Sequence, residues 1–352
     1  MNNESSKIGI FGINVYSERL IKEFKNISKI FVSDPKDKIF KGINVESIEN
    51  IEEEIDLLIV CSGGRINTSI KLCKKYIKNK NILLKHYFEL INQKLIDTED
   101  HSIVMNENFL IEYKKEFENF DKVYDYLADK KSKFLYKKLI EFRNNLDIKC
   151  IKDLDHLEDK QYFEEFINLG KHPLFIDIGA FDGYTSLEFS KKYKNYSHIY
   201  SFEPEPINFI LTKKNLSTLE RIDIIQKIVS NKKGKGNLSH SGSNSKVDLL
   251  GEREIEVTTI DKEIDLIKNK KNFTGILLKC DTEGFEKSVL EGASDFIKKY
   301  KPILAISCYH NPRQMWEIPL ILKSMIPSSK MYIRHYTESI YETVCFLIPD
   351  SI

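Results

Sequence analysis

The chain has 352 residues, 54 of them Lys or Arg and 53 Asp or Glu, so its formal net charge of +1 gives no electrostatic reason to expect a nucleic acid or an acidic membrane surface as partner. Its length predicts two domains. No apolar run approaches the roughly 18 residues of a membrane span. The first residues lack the apolar core of a signal peptide, and the six cysteines are scattered without a C-x-x-C pair. These features predict a cytoplasmic protein with reduced thiols and no membrane span.

Residues 1–105 alternate apolar runs with amphipathic segments. Strands are predicted at Lys7–Phe11, Ile30–Val32 and Leu57–Cys61, with a helix after the first and after the third. This pattern predicts a small Rossmann-like α/β domain, which is degenerate because Ser17 stands where a dinucleotide-binding loop needs a later glycine. We expect it to serve packing, homo-oligomer formation or substrate contact rather than a second cofactor site. A phosphate site at Ser62–Arg65 is the weaker interpretation.

Residues 106–160 are polar and have helical spacing of their apolar residues, so they are interpreted as a helical linker. The lysines of this segment are expected to form a solvated face. The remainder, residues 161–352, contains the longer alternation of strands and helices and is predicted to be the main domain.

Leu174 to Glu203 predicts the first half of a nucleotide-binding β-α-β unit. A short buried strand, Leu174–Ile178, ends at a glycine, a helix follows, and a second strand ends on Glu203. A carboxylate at that position can accept hydrogen bonds from both ribose hydroxyls, which predicts an adenosine-containing ligand. Asp177 would repel a pyrophosphate but suits a ligand with an ammonium group and a sulfonium. The sequence therefore favours S-adenosylmethionine over NAD.

Later strands are expected to complete the same sheet. They are predicted at Ile222–Val229, Ile276–Lys279, Ile303–Cys308, Met331–Tyr336 and Val344–Ile348, with a loop or loose hairpin at Ser230–Ser245 and an inserted strand at Glu254–Ile260. Ligands of open α/β sheets bind beyond the carboxyl ends of the strands. Polar residues at these ends are therefore expected to gather at one site.

Three motifs and the strand end at Glu203 together resemble the FkbM family of S-adenosylmethionine-dependent methyltransferases. The motifs are D-I-G-A-F-D-G from Asp177, K-C-D-T-E-G-F-E from Lys279, and Tyr309-His310. The resemblance covers about residue 161 to the C-terminus, and it implies a class I methyltransferase fold of the α/β class with a seven-stranded sheet. It also implies O-methylation, often of sugar hydroxyls. Cys280 and Thr282 depart from the Ile or Val that is more familiar at their positions.

Site residues follow from this resemblance position by position. Cofactor contacts are implied for Asp177, Gly179, Ala180, Phe181, Gly183, Thr185 and Glu203. The reacting end is implied to contain Asp281, Glu283 and His310.

A sugar hydroxyl is a poor nucleophile at neutral pH, so the reaction needs a base or a metal. His310 is the predicted base, oriented by Asp281 or Glu283, and His335 is a second candidate. The same Asp281, Glu283 and His310 could instead bind Mg²⁺ or Mn²⁺, and Tyr309-His310 could simply cap a strand.

Two other classes stay open. A NAD(P)-dependent sugar-nucleotide enzyme would need a Tyr-x-x-x-Lys pair after a suitable strand, and none is visible there. The other is a non-catalytic scaffold that keeps a methyltransferase fold.

Overall fold

The computed structural model describes residues 6–51, 55–78, 81–97, 103, 105–157, 160–239, 246–248, 253–263 and 273–350. The chain forms two compact units, the first comprising Met1–Ile111, Tyr136–Glu158 and Tyr336–Tyr341, and the second Glu112–Leu135, Asp159–His335 and Glu342–Ile352. Residues 336–341, which the sequence analysis placed in the main domain, thus group with the first unit. No helix of the described ranges is long and apolar enough to cross a membrane.

The first unit contains a sheet and its flanking helices. Its strands and helices are β1 (Ile8–Phe11), α1 (Val15–Glu23), β2 (Ile27–Val32), β3 (Ile39–Phe40), β4 (Ile43–Ser47), β5 (Leu57–Val60), α2 (Ile66–Tyr76), β6 (Leu83–His86) and α3 (Tyr87–Asn92). The strand order is β3-β4-β2-β1-β5-β6, and all neighbours are parallel except β3 and β4. β1 and β5 are buried along their whole length, as expected of parallel strands covered on both faces. The α/β fold predicted for this part is confirmed.

At the carboxyl edge of this sheet, residues of the chain itself occupy the space that a ligand would need. Gly12 has φ +102°, and a Cβ there would lie 2.7 Å from the carbonyl oxygen of Cys61. At the start of α2, the backbone N–H and the hydroxyl of Thr68 each donate to the Glu338 carboxylate at 2.8 Å. A carboxylate of the chain therefore occupies the helix N-terminus that a phosphate at Ser62–Arg65 would need, so the structure does not support that phosphate site.

Two long helices, α4 (Phe109–Tyr126) and α5 (Lys130–Asn145), occupy most of the predicted linker. Each contributes residues to both compact units. After α5 the chain forms the 3₁₀ turn Ile148–Ile151. Asp147 caps this turn by accepting a hydrogen bond from the backbone N–H of Lys149.

The second unit is organised by a seven-stranded sheet. Its elements after α5 are β7 (Leu174–Ile178), α6 (Tyr184–Lys192), β8 (His198–Phe202), α7 (Pro206–Asn215), β9 (Ile222–Ile225), β10 (Ile228–Val229), β11 (Gly234–Ser239), β12 (Lys246–Asp248), β13 (Arg253–Thr258), β14 (Ile276–Cys280), α8 (Glu286–Glu291), α9 (Ser294–Tyr300), β15 (Ile303–Ser307), α10 (Gln314–Met325), β16 (Ser329–His335) and β17 (Thr343–Pro349). The strand order is β16-β17-β15-β14-β7-β8-β9.

The strand directions in this sheet decide where its polar residues meet. β9, β8, β7, β14 and β15 run parallel, whereas β17 is antiparallel to both β15 and β16. All carboxyl ends of the parallel strands therefore lie at one edge, and β17 begins at that same edge. The predicted α/β fold with a seven-stranded sheet is confirmed.

A separate four-stranded sheet corrects one prediction. The run Ile222–Val229 was expected to be one strand, but it divides into β9 in the large sheet and β10 in a sheet of order β10-β13-β11-β12. Of the two interpretations of Ser230–Ser245, the described residues favour the hairpin, because β11 pairs antiparallel with β12 and with β13. Residues 240–245 lie outside the described residues. An alternating strand beside a Gly- and Lys-rich segment gave no signal that the two would pair.

A buried ion pair joins the two central strands. Asp177 on β7 and Lys279 on β14 are directly paired in register, with Nζ 3.0 Å from Oδ1 and side chains 0% and 4% exposed. Ser186 on α6 donates to the other carboxylate oxygen at 2.7 Å, and Lys279 also donates to the carbonyl of Gly179. Burial opposes the charge of Lys279, but the Asp177 carboxylate outweighs it and raises the lysine pKa. Asp177 thus stabilises the sheet by neutralising Lys279 inside it.

α10 carries Trp316, the single tryptophan of the sequence, whose indole N–H donates to the carboxylate of Glu112 at 3.0 Å. Both residues belong to the second unit, and the indole is largely buried.

Replacing Lys279 with Met should lower the free energy of unfolding by about 3–5 kcal/mol, because it leaves the buried Asp177 charge uncompensated. Urea denaturation followed by circular dichroism measures this change. Lys191→Ala is the control, since it breaks the exposed pair with Glu188 on α6 and should cost about 1 kcal/mol or less. Equal effects of the two substitutions would contradict the role assigned to the buried pair.

Candidate active site

A cavity of about 280 Å³ opens at the edge of the large sheet where the parallel strands end. Among the described residues, its acidic lining consists of Glu203, Glu205, Asp281, Glu283 and Glu342. The basic side chain of Lys227 also lines it, but its ammonium group lies 3.0 Å from Glu256 and 3.3 Å from Glu263. The cavity therefore favours ligands that are neutral or positively charged.

Glu203 directly follows β8 and is held in place by the backbone. Its two carboxylate oxygens accept from the N–H of Phe181 at 2.7 Å and of Glu205 at 2.9 Å. The residue is only 5% exposed, and this burial raises its pKa to about 7 in spite of the two hydrogen bonds. The carboxylate is fixed at the cavity wall, where its remaining lone pairs can accept hydrogen bonds from hydroxyl groups of a ligand.

The glycines after β7 allow close packing within the chain. Gly179 has φ +77°, and a Cβ there would lie 1.8 Å from the carbonyl oxygen of Asp281, so the loops after β7 and β14 can approach only with glycine. Gly183 has φ +85° at the start of α6, where a Cβ would lie 2.9 Å from the side chain of Leu216. The glycines of the motif D-I-G-A-F-D-G are therefore required by the packing of the chain itself. Part of the motif also lines the cavity.

The structure brings three of the predicted cofactor residues to the cavity. Gly179, Phe181 and Glu203 line it, and Phe181 is 49% exposed with φ +54°.

The other four predicted cofactor residues are not part of the described lining, for reasons that differ. Asp177 cannot serve the ammonium end of a ligand from its position, because its charge is committed to Lys279 in the core. Ala180 is buried, Gly183 packs against α7, and Thr185 is half-buried on α6.

His310 follows β15 and lies behind the cavity wall, its side chain 2% exposed. Its Nε2 is 3.2 Å from Asp281 Oδ1 and 3.7 Å from Glu283 Oε2, and its Nδ1 is 3.1 Å from Glu286 Oε1. Burial alone would lower the pKa of the imidazole, but the charges of Glu286 and Asp281 raise it well above its ordinary value. Without a ligand or an ion nearby, His310 therefore holds its proton at neutral pH.

The two carboxylates closest to His310 are ionised. Burial opposes the charge of Asp281, yet the contacts with His310 and Lys279 hold the pKa of Asp281 well below its usual range. Asp281 also accepts from the hydroxyl of Tyr162 at 2.8 Å. Glu286 is fully buried at the start of α8, and His310 lowers its pKa against the effect of burial.

Glu283 and Glu342 line the cavity and, like Glu203, are not held ionised by a nearby cation. Burial raises the pKa of each to about 7. Glu342 accepts from the hydroxyl of Tyr309 at 2.8 Å and from the side-chain amide of Gln161 at 2.6 Å. These two donors fix the orientation of the Glu342 carboxylate.

Sequence reasoning missed Glu342 and its donors. It searched for polar residues after strands, whereas Glu342 directly precedes β17, which starts at the same edge because it runs antiparallel. The sequence did contain a signal for this residue, since Glu342 is an acid just before the last predicted strand.

His335, the second candidate base, is buried on β16 with Nδ1 2.9 Å from the hydroxyl of Thr343. It does not belong to the described cavity lining.

This arrangement of sheet, loop and strand-end acids is that of a class I methyltransferase. Residues 177–337, within the C-terminal half of the chain, match the family model described as the methyltransferase FkbM domain. The predicted resemblance to this family is confirmed.

Solved structures extend the fold comparison to nearly the whole chain. A methyltransferase FkbM from Methylobacillus flagellatus is 16% identical, with a TM-score of 0.68 over 97% of this chain and 90% of that one. At this identity the similarity concerns the fold.

Two further structures resemble only part of the chain. A precorrin-6y C5,15-methyltransferase from Geobacter metallireducens is 10% identical with a TM-score of 0.30, covering 51% of this chain and 80% of its own. A putative methyltransferase from Streptococcus mutans in complex with SAH is 12% identical with a TM-score of 0.32, covering 51% and 90%. Both similarities are too weak to support an argument. No curated protein matched the sequence.

The raised pKa of Glu342 makes the stability of the second unit depend on pH. The folded state binds a proton at Glu342 more tightly than the unfolded chain does, so its contribution to stability is complete below pH ~4.5 and is lost as the pH rises through about 7. Glu342→Gln removes this titration. Between pH ~5 and ~7.5 the unfolding free energy of the variant should therefore rise relative to that of the wild type. Urea denaturation at several pH values tests this, and a difference that does not change with pH would contradict it.

Proposed function

We propose that this chain is an S-adenosylmethionine-dependent O-methyltransferase that acts on a hydroxyl of a carbohydrate-type acceptor, such as a glycan, a nucleotide sugar or a glycosylated metabolite. The observation that carries the proposal is the cavity at the carboxyl edge of the FkbM-type sheet. Glu203 lies at one part of it, and Asp281, Glu283 and Glu342 lie at another. Carboxylates are suitable acceptors for the hydroxyl groups of a ribose and of a sugar.

The residues of the cavity fit the methyl donor. Glu203 would hold the ribose hydroxyls, and the backbone at Gly179 allows the donor to pass close to the loop after β7. The ends of β8 and β14 are two strand spacings apart, about 10 Å, with β7 between them. The acidic lining of the cavity as a whole suits the positive charge of S-adenosylmethionine.

S-adenosylmethionine supplies the methyl group, and the acceptor oxygen displaces the sulfur, which keeps the electron pair of the broken C–S bond. The chain must hold the acceptor hydroxyl in line with that bond and exclude water. It must also accept the hydroxyl proton.

Glu342 is better matched to the proton transfer than His310. A general base is most effective when its pKa lies near the working pH, and the pKa of Glu342 is about 7. With no ion bound, His310 already carries its proton, and it is not among the described residues that line the cavity, so the base role predicted for it from the sequence is not what this geometry supports. We assign the proton to Glu342, while Asp281, Glu283 and His310 form the wall beside it.

The two other classes considered from the sequence have less support. The family match is to a methyltransferase and gives no support for NAD(P) as cofactor. A non-catalytic scaffold would have no need of cavity carboxyls with a pKa near 7. Homo-oligomer formation through the N-terminal unit and a cytoplasmic location stay predictions.

Calorimetry of the purified chain should show binding of S-adenosylmethionine and no binding of NADH. Glu203→Ala should weaken the former by about 1.5–3 kcal/mol, the cost of losing a charged hydrogen-bond acceptor. Asp223→Ala is the matched control, because Asp223 is an acid on β9 that pairs with His198 outside the cavity. Unchanged affinity in Glu203→Ala would place the adenosine elsewhere.

Turnover should depend on Glu342 while cofactor affinity does not. With an acceptor found by screening glycans for transfer of a labelled methyl group, Glu342→Gln should reduce turnover about 10²–10⁴-fold. The wild-type rate should rise with pH through a group near pKa 7, and this dependence should vanish in the variant. If His310→Ala lost turnover while Glu342→Gln kept it, the base would be His310.

A further inference from the structure

His310 is set between carboxylates on both sides of its ring. Asp281, Glu286 and His310 each offer an atom of the kind that binds metals, and these atoms lie within 4.8 Å of one another. Because Nδ1 faces Glu286 and Nε2 faces Asp281, one ion cannot use all three groups directly. The two sides of the ring therefore need separate consideration.

The Nδ1 side is closed. Glu286 accepts from the backbone N–H of Thr282 at 2.8 Å and from the side-chain amide of Gln314, and its side chain is 0% exposed. Its Oε1 lies 3.1 Å from Nδ1, so it is the ion-pair partner of that nitrogen, although neither ring nitrogen makes a well-aligned hydrogen bond. Histidines that bind metals usually donate their second ring N–H to a partner of this kind, which leaves Nε2 as the ligand atom.

The Nε2 side faces two carboxylates that line the cavity, those of Asp281 and Glu283. Nε2 is buried, and in the described structure it makes no well-aligned hydrogen bond although Asp281 Oδ1 is 3.2 Å away. Two ligand atoms at right angles around a Mg²⁺-sized ion lie about 3 Å apart, so this spacing suits neighbouring ligands of one ion.

We propose that Asp281, Glu283 and Nε2 of His310 bind a divalent cation at the cavity, with Glu286 holding Nδ1. Two carboxylates and one imidazole suit Mn²⁺, with Mg²⁺ as the harder alternative. The inference rests on the proposed function, because it places the ion where the acceptor enters. Because Asp281 and Glu283 line the cavity, an acceptor with two neighbouring hydroxyls could complete the coordination of an ion held there.

Mn²⁺ titration followed by electron paramagnetic resonance tests the site directly. The chain, freed of divalent ions with EDTA, should bind one Mn²⁺. Glu283→Gln and Asp281→Asn should each weaken binding at least about 100-fold, and Glu286→Gln about 10–100-fold, the usual effect of losing a partner of a ligating histidine. Circular dichroism checks that each variant is folded, and Glu283→Gln alone decides the result if Asp281→Asn does not fold.

A crossed comparison separates this inference from the proposed function. Glu203→Gln should lose affinity for S-adenosylmethionine and keep Mn²⁺, whereas Glu283→Gln should lose Mn²⁺ and keep S-adenosylmethionine. No Mn²⁺ binding at millimolar concentration, or binding that survives Glu283→Gln, would overturn the metal site. If S-adenosylmethionine still bound in that case, the proposed function would stand without the ion.

Discussion

The architecture depends on how closely β7 and β14 lie at the centre of the large sheet. Asp177 and Lys279 neutralise each other between them, and immediately beyond the strands the backbone of Gly179 approaches the carbonyl of Asp281. The ion pair fixes the register of the strands, and the missing side chain of Gly179 lets the following loops meet. Only with both in place do the ends of β8, β14 and β15 border one cavity.

Charges of alternating sign continue from this pair toward the cavity. Lys279 lies beside Asp177 and stabilises Asp281, which faces His310, which in turn contacts Glu286. Each acid in this series has a cation as neighbour, which is why Asp281 and Glu286 stay ionised although buried. Glu203 and Glu342 have no such neighbour at contact distance among the described ion pairs, and burial raises their pKa. Close contact with a cation thus keeps Asp281 and Glu286 ionised, whereas burial outweighs the more distant cations at Glu203, Glu283 and Glu342 and raises their pKa to about 7.

Much of the fold could be predicted from the sequence because parallel strands buried on both faces are continuous apolar runs. Leu174–Ile178 and the strands around Ile276 and Ile303 were predicted nearly to the residue. The division between β9 and β10 was missed, since Gln226 and Lys227 interrupt an otherwise apolar run without a glycine or proline.

The site was predicted less completely, because the direction of a side chain depends on its partners. Asp177 was assigned to a ligand from its place before a glycine, but its partner Lys279 lies a hundred residues later in the sequence. His310 was assigned as a base from its residue type, and the pKa that argues against this comes from Glu286 and Asp281.

Trp316 has a practical consequence of a different kind. As the sole indole of the chain, it makes tryptophan emission a reporter of the second unit, whereas circular dichroism reports both units, so unfolding of the second unit can be distinguished from that of the whole chain in one sample.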